Sequence, residues 1–138
     1  MTDLERAKLL LEEGGYSCVL CKGDCVLPLE GRGVKPVLAL LDEGRDVKGF
    51  SVADKVVGKA MAMLYCLLSV SRVYAGVISD GAVRVFEEHG IEAAWDRRTQ
   101  AIRNRAGDGL CPMEQAVREL KDPALAPEVL RQALERLK

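Results

Sequence analysis

The segment Arg72–Ile78, Arg-Val-Tyr-Ala-Gly-Val-Ile, is apolar almost without interruption. A run of that kind, with no polar alternation, is the pattern of a β-strand covered on both faces, as in sheets flanked by helices. Ser79-Asp80-Gly81 then opens a helical pattern through Phe86 that stops at Gly90, and Ile91–Trp95 reads as another strand. Strand, helix and strand in that order require a parallel pair joined by a right-handed crossover. This one unit restricts the chain to the α/β class.

The flanks extend it. Thr2-Asp3-Leu4-Glu5 has capping-box spacing, and Leu4, Ala7, Leu10 and Leu11 follow the helical period up to Gly14-Gly15. Tyr16–Cys21 and Cys25–Leu29, around the three-residue turn Lys22-Gly23-Asp24, predict a hairpin. Pro36 suits the first turn of a helix running to Gly44. A long helix is predicted from Ser51 or Asp54 to about Leu68, apolar over most of its circumference and therefore buried. After Trp95 the chain is polar and irregular to Gly109. Pro112 then starts a helix to about Leu120, and Pro127 starts a last one. The order αββααβαβ followed by helices predicts a single domain over residues 1–138, a three-layer α/β/α sandwich around one mixed sheet.

Length and composition remove several classes of function. A chain of 138 residues buries enough core to fold without a metal or disulfide. Twenty Lys and Arg against 21 Asp and Glu leave a net charge of −1, which gives no global reason to expect DNA, RNA or a membrane surface. The arginines at 97, 98, 103 and 105 are few and lack interleaved aromatics, so no nucleic-acid partner is expected. No stretch approaches the ~18 apolar residues of a membrane span. The charged start Met-Thr-Asp-Leu-Glu-Arg lacks the apolar run of a signal peptide, so a cytoplasmic location is the expectation. Five cysteines in a reducing compartment remain free thiols.

Two segments carry candidate chemistry. Asp54, Lys55, Gly58 and Lys59 fall on adjoining positions of the predicted long helix, where i and i+4 share a face. Read as a cleft wall, they offer two cations and a carboxylate at a helix start, where anions are favoured; read plainly, they are a solvated edge. In the second segment, Pro112 at the first helical position makes Cys111 the N-cap and puts Glu114 where its carboxylate reaches back to the Cys111 amide. A thiol at a helix start has its thiolate favoured. Asn104, Arg105 and Gly109 precede it, adding an amide, a cation and an open backbone. The catalytic candidates are Cys111, Glu114 and Asp54. Asp54, Lys55, Gly58, Lys59, Asn104, Arg105, Gly109, Cys111 and Glu114 form the candidate ligand-binding set.

Other chemistries fail. His89, the single histidine, ends the helix that returns to the amino edge of the parallel strands, opposite the edge where such sheets bind ligands. Cys–His and Ser-His-Asp arrangements are thereby excluded. Cys18-Val-Leu-Cys21 with Cys25 has zinc-knuckle spacing, but strand alternation sends Cys18 and Cys21 to opposite faces, and no second CxxC exists. No metal and no cofactor are expected. There is no GxGxxG after a strand and no GxxxxGK[ST].

Ala53-Asp54-Lys55-Val-Val-Gly58-Lys59-Ala60 and Asn104-Arg105-Ala-Gly107-Asp-Gly109-Leu-Cys111-Pro112-Met113-Glu114 together resemble an uncharacterised prokaryotic family, the domain of unknown function numbered 1893. The resemblance implies a cytidine-deaminase-like fold. Zinc deaminases place a His or Cys two residues before a Glu at one helix start and Pro-Cys-x-x-Cys at the next. By that resemblance the corresponding positions are Val52-Ala53-Asp54 and Ser79-Asp80-Gly81-Ala82-Val83, none of them Cys or His. The resemblance thus implies the fold without zinc chemistry and carries no activity with it. The pairing of two helix starts with Lys and Arg, and the lack of a complete catalytic set, lead to the expectation of a domain that binds a small anionic or nucleotide-like ligand. An enzyme using Cys111 as nucleophile or redox thiol is the alternative, and an oligomeric regulatory or assembly module is a third. The residues do not distinguish an enzyme from a binding domain.

Overall fold

A computed structural model describes residues 1–137. In chain order the elements are α1 (Asp3–Gly14), β1 (Cys18–Lys22), β2 (Cys25–Leu29), α2 (Lys35–Asp42), β3 (Ser51–Val57), α3 (Lys59–Leu68), β4 (Arg72–Ser79), α4 (Asp80–His89), β5 (Glu92–Thr99), α5 (Pro112–Ala116) and α6 (Ala126–Arg136), with a 3₁₀ turn at Pro123–Leu125. The five strands form one mixed sheet in the order β2-β1-β3-β4-β5. β1 runs antiparallel to β2 and β3, whereas β3, β4 and β5 are parallel.

Local signals formed the elements they predicted at both ends. The Thr2 hydroxyl accepts from the Glu5 amide, and Gly15, in the left-handed region, ends α1. Ser79 caps α4 through the Ala82 amide at 3.1 Å. The hairpin turn is one residue tighter than predicted, because Lys22 pairs with Cys25.

The predicted long helix is overturned. Its first half is strand β3, and the helix begins at Lys59 with Gly58 as its N-cap. The misleading signal has a physical source in the middle of the sheet. The β3–β4 ladder pairs Asp54 with Ala75 and Val56 with Val77 but omits Lys55 and Gly76. The β4–β5 ladder likewise pairs Ala75 with Trp95 and Val77 with Arg97 and omits Gly76 and Asp96. A Cβ on Gly76 would lie 2.7 Å from the Lys55 carbonyl oxygen, so only glycine fits there. Across this break the side-chain phase shifts, and Val52 and Val57, five residues apart, enter the same core cluster. Strict alternation would put them on opposite faces. With that phase shift, the apolar positions of β3 run into those of α3 at helix-like spacing.

The layers are unequal. α1 alone covers one face, with Ala7 and Leu11 against Val19, Cys21, Ala53 and Tyr74. The other five helices cover the opposite face, around a core that includes fully buried Tyr65, Leu64, Met63 and Phe86. The three-layer sandwich is therefore correct, with an added strand. β5 extends past the predicted Trp95 to Thr99. It is one of the two edge strands and mostly exposed, which accounts for its polar Asp96-Arg97-Arg98.

Candidate functional site

β3 ends at the carboxyl edge of the parallel strands, and Asp54 sits at its midpoint. The side chain is buried, 5% exposed. Its Oδ2 accepts from the Tyr65 hydroxyl at 2.5 Å, and its Oδ1 accepts from the Val56 amide at 3.3 Å. Cys18 is the register partner of Asp54 on β1 and so shares its face. Burial drives the Asp54 carboxyl up from 3.8 to about 6, against the lowering effect of the Tyr65 hydroxyl and the Val56 and Lys55 amides. Tyr65 is pushed well above its ordinary range by burial and by the neighbouring Asp54. The Cys18 thiol is raised first by burial and then by Asp54. Near neutrality Cys18 and Tyr65 are thus uncharged donors, while Asp54, at about 6, is mostly an ionised acceptor that takes up a proton as the pH falls through that value.

The start of α3 is closed by a residue from far along the chain. Gly58 has no side chain to cap the helix. Instead the Glu114 carboxylate takes the Lys59 amide on Oε1 at 2.7 Å and the Ala60 amide on Oε2 at 2.9 Å. These are two of the donors that a helix leaves unpaired at its start. A Cβ on Gly58 would stand 2.2 Å from Glu114 Oε1, so the glycine is there to admit the carboxylate. The backbone of Gly58, at φ −99° and ψ −176°, is extended and open to any residue. The reach of Glu114 back to the Cys111 amide, predicted from the capping spacing, does not form, because the Cys111 amide donates to the Ile102 carbonyl at 3.0 Å. Burial raises the Glu114 carboxyl, opposed by the Ala60 and Lys59 amides.

Between β3, the start of α2 and the Ile102–Glu114 segment lies a cavity of about 230 Å³. It brings together Asp54, Lys55, Gly58, Cys111 and Glu114 from the two predicted segments. Its apolar wall includes Val37, Met61, Ile102 and Met113, and Cys18 also borders it. The remaining candidates lie elsewhere. Lys59 points away, its ammonium donating to the Arg118 carbonyl at 3.0 Å. The predicted stripe of Asp54, Lys55 and Lys59 on one helix face dissolves, since two of the three are on a strand. Asn104 organises its own turn. Its Oδ1 accepts from the Gly107 amide at 2.8 Å and its amide nitrogen donates to Asp108 at 3.0 Å. Arg105 and Gly109 belong to that turn and do not border the cavity.

Tyr65, Cys18 and the apolar wall were not among the sequence candidates. Nothing local marks them, because Tyr65 meets Asp54 only after β3 and α3 fold against each other. His89 caps its own helix, with Nδ1 2.9 Å from the Val85 carbonyl. Cys18 and Cys21 enter different core clusters on opposite sheet faces, and Cys25 is exposed. No cluster of three or more metal-ligating side chains occurs among the described residues. Among them, no helix is long and apolar enough to cross a membrane.

The family model described as a domain of unknown function (DUF1893) matches residues 6–134. The chain belongs to this family. The crystal structure of a DUF1893 family protein from Thermotoga maritima (TM1506) superposes with a TM-score of 0.84 at 28% identity, over 99% of this chain and 91% of that one. A diaminohydroxyphosphoribosylaminopyrimidine deaminase/5-amino-6-(5-phosphoribosylamino)uracil reductase from the same organism gives a TM-score of 0.41 at 20% identity, over 66% of this chain and 34% of that one. That second likeness is too slight to bear on chemistry. No curated protein matches the chain. The deaminase correspondence expected at Val52-Ala53-Asp54 also shifts, since those residues lie on β3 and the helix start is Gly58-Lys59-Ala60. That start, too, has no Cys or His.

Proposed function

We propose that this family member binds a small heterocyclic molecule in the 230 Å³ cavity, with its apolar body against Met61, Ile102 and Met113 and its N–H donors toward Asp54 and Glu114. One observation carries the proposal: two carboxylates, both raised by burial, border a single apolar cavity. Glu114 accepts from two amides and Asp54 from the Tyr65 hydroxyl and the Val56 and Lys55 amides, whereas a carboxylate has about four acceptor sites. The spare lone pairs favour a ligand that donates. A nucleobase-like ring meets that requirement, and Lys55 is placed for an anionic appendage. A bare phosphate at the start of α3 is disfavoured, because Glu114 already holds the helix amides that would bind it.

Thermal shift measurements with nucleobases and nucleosides against phosphate and citrate test the reading. Stabilisation by donor-bearing rings is expected, with ~2.7 kcal/mol at ~100 times Kd. Stabilisation by the simple anions alone, or by none of the compounds, would sink it.

Cys111 borders the same cavity, which supports a second reading as a thiol enzyme with Glu114 or Asp54 assisting. The rate of Cys111 alkylation against pH decides that reading. A plateau well below the free-thiol value of ~8.5 upholds an activated thiolate, and a rate still climbing there rejects one.

A further inference from the structure

On the other side of Lys59 lies a second hollow, of about 400 Å³, between the start of α3, the outer face of α4 and the turn after α5. Four cations line it, Lys59, Arg84, Arg118 and Lys121, against two carboxylates, Glu88 and Glu119. The local charge is therefore +2, in a chain whose net charge is −1. None of the four cations takes part in an ion pair among the described residues, although acceptors stand in the same wall. Arg84 and Glu88 are four apart on α4 yet unpaired, in the less favourable order with the cation toward the helix start. The Lys59 ammonium is fixed by the Arg118 carbonyl at 3.0 Å, where its charge is satisfied by a dipole but not neutralised.

Like charges gathered in a concave wall of low dielectric repel one another and focus their field into the hollow. A compact counter-ion carrying more than one negative charge relieves that repulsion. We infer that this groove is a separate oxyanion site, taking a phosphate or pyrophosphate group, either free or carried on an organic molecule. It does not depend on the ligand of the cavity. The side chain of Lys59, expected from the sequence to meet an anion, does so here and not beside Asp54.

The test is calorimetric titration of the whole protein with inorganic pyrophosphate at about 50 mM and about 200 mM salt, since phosphate contacts weaken steeply over that range. Saturable binding is expected at the lower salt, weakened at the higher. Arg84→Gln and Lys121→Gln should each weaken it by on the order of tenfold, the equivalent of one lost charge contact. Their unchanged thermal midpoints would show that the fold is intact. A glycerol phosphate arm distinguishes the source: tighter binding than inorganic phosphate assigns an organic carrier, and equal binding assigns the free ion, both upholding the site. No saturable pyrophosphate binding at low salt, or equal affinity in the double variant, overturns it.

Discussion

The two hollows on either side of Lys59 share a boundary and differ in everything chemical. The cavity beside β3 is narrow and walled by apolar side chains, and its carboxylates, the buried Asp54 and the half-buried Glu114, are already engaged by amides and a hydroxyl. The groove beside α4 is wider, and its polar groups are long cations in contact with water. A polar group in the cavity is tied into the fold, so changing it changes stability. A charge in the groove contributes little to the fold and is free to serve a ligand. The backbone of Lys59 belongs to the first hollow and its side chain to the second.

The largest effect expected from this contrast is at Gly58. Gly58→Ala displaces the Glu114 carboxylate and breaks two hydrogen bonds to a charged group, costing about 3 kcal/mol. In a Glu114→Ala background the same change should cost under about 1 kcal/mol, because the extended backbone tolerates a Cβ once the carboxylate is gone. Chemical denaturation of the four proteins measures this coupling. Additive losses would show that Gly58 serves something other than Glu114.

The next effect is at Asp54 and depends on pH. Its carboxyl binds a proton more tightly in the folded chain, at about 6, than in the unfolded one, near 3.8. Stability from that protonation is present below the unfolded value and is lost as pH rises to the folded one. The protein should therefore lose up to about 3 kcal/mol between about pH 4 and pH 6, then level off. Asp54→Asn should flatten this decline and leave the variant more stable than its parent at pH 8, by about 2 kcal/mol. Unfolding midpoints across that pH range decide the matter, and an unchanged decline in the variant assigns it to another group. A carboxylate kept in place at such a cost to the fold fits a role in binding.

The smallest effect separates the groove from the cavity most sharply. Arg84→Gln and Lys121→Gln should move stability by no more than about 0.5 kcal/mol, as exposed changes away from packed contacts do. A loss of about 2 kcal/mol or more in either would mean that the groove is structural, and the contrast would fail.

Where the sequence was legible, a local signal decided the structure. Thr2 and Glu5 cap α1, Ser79 starts α4, and the unbroken apolar run became β4. β3 was hidden because the gap in the ladder at Lys55 and Gly76 comes with a shift of side-chain phase that removes the alternation by which a strand is recognised. The outer half of β5 was hidden because both its faces are open to water, and Asp96-Arg97-Arg98 reads as loop. The candidate site divides along the same line. Asp54, Gly58, Cys111 and Glu114 stand out by residue type and do border one cavity. Their partners do not stand out, because the contact of Glu114 with Ala60 joins residues 54 apart and only the folded chain brings them together. Asn104 shows the reverse: a conspicuous polar side chain in a loop whose capacity is used up holding that loop.

The Glu114 cap also sets an order of events during synthesis. The central helix of the domain emerges from the ribosome with its first amides unpaired, and the carboxylate that completes it lies 54 residues behind Ala60. At roughly 5–20 residues per second, the wait is about 3–11 s. Until Glu114 arrives, the positive end of α3 is open and the wall of the cavity is missing. A nascent chain stopped before Glu114 therefore presents an exposed helix start, so the last third of the sequence closes the domain as well as decorating it.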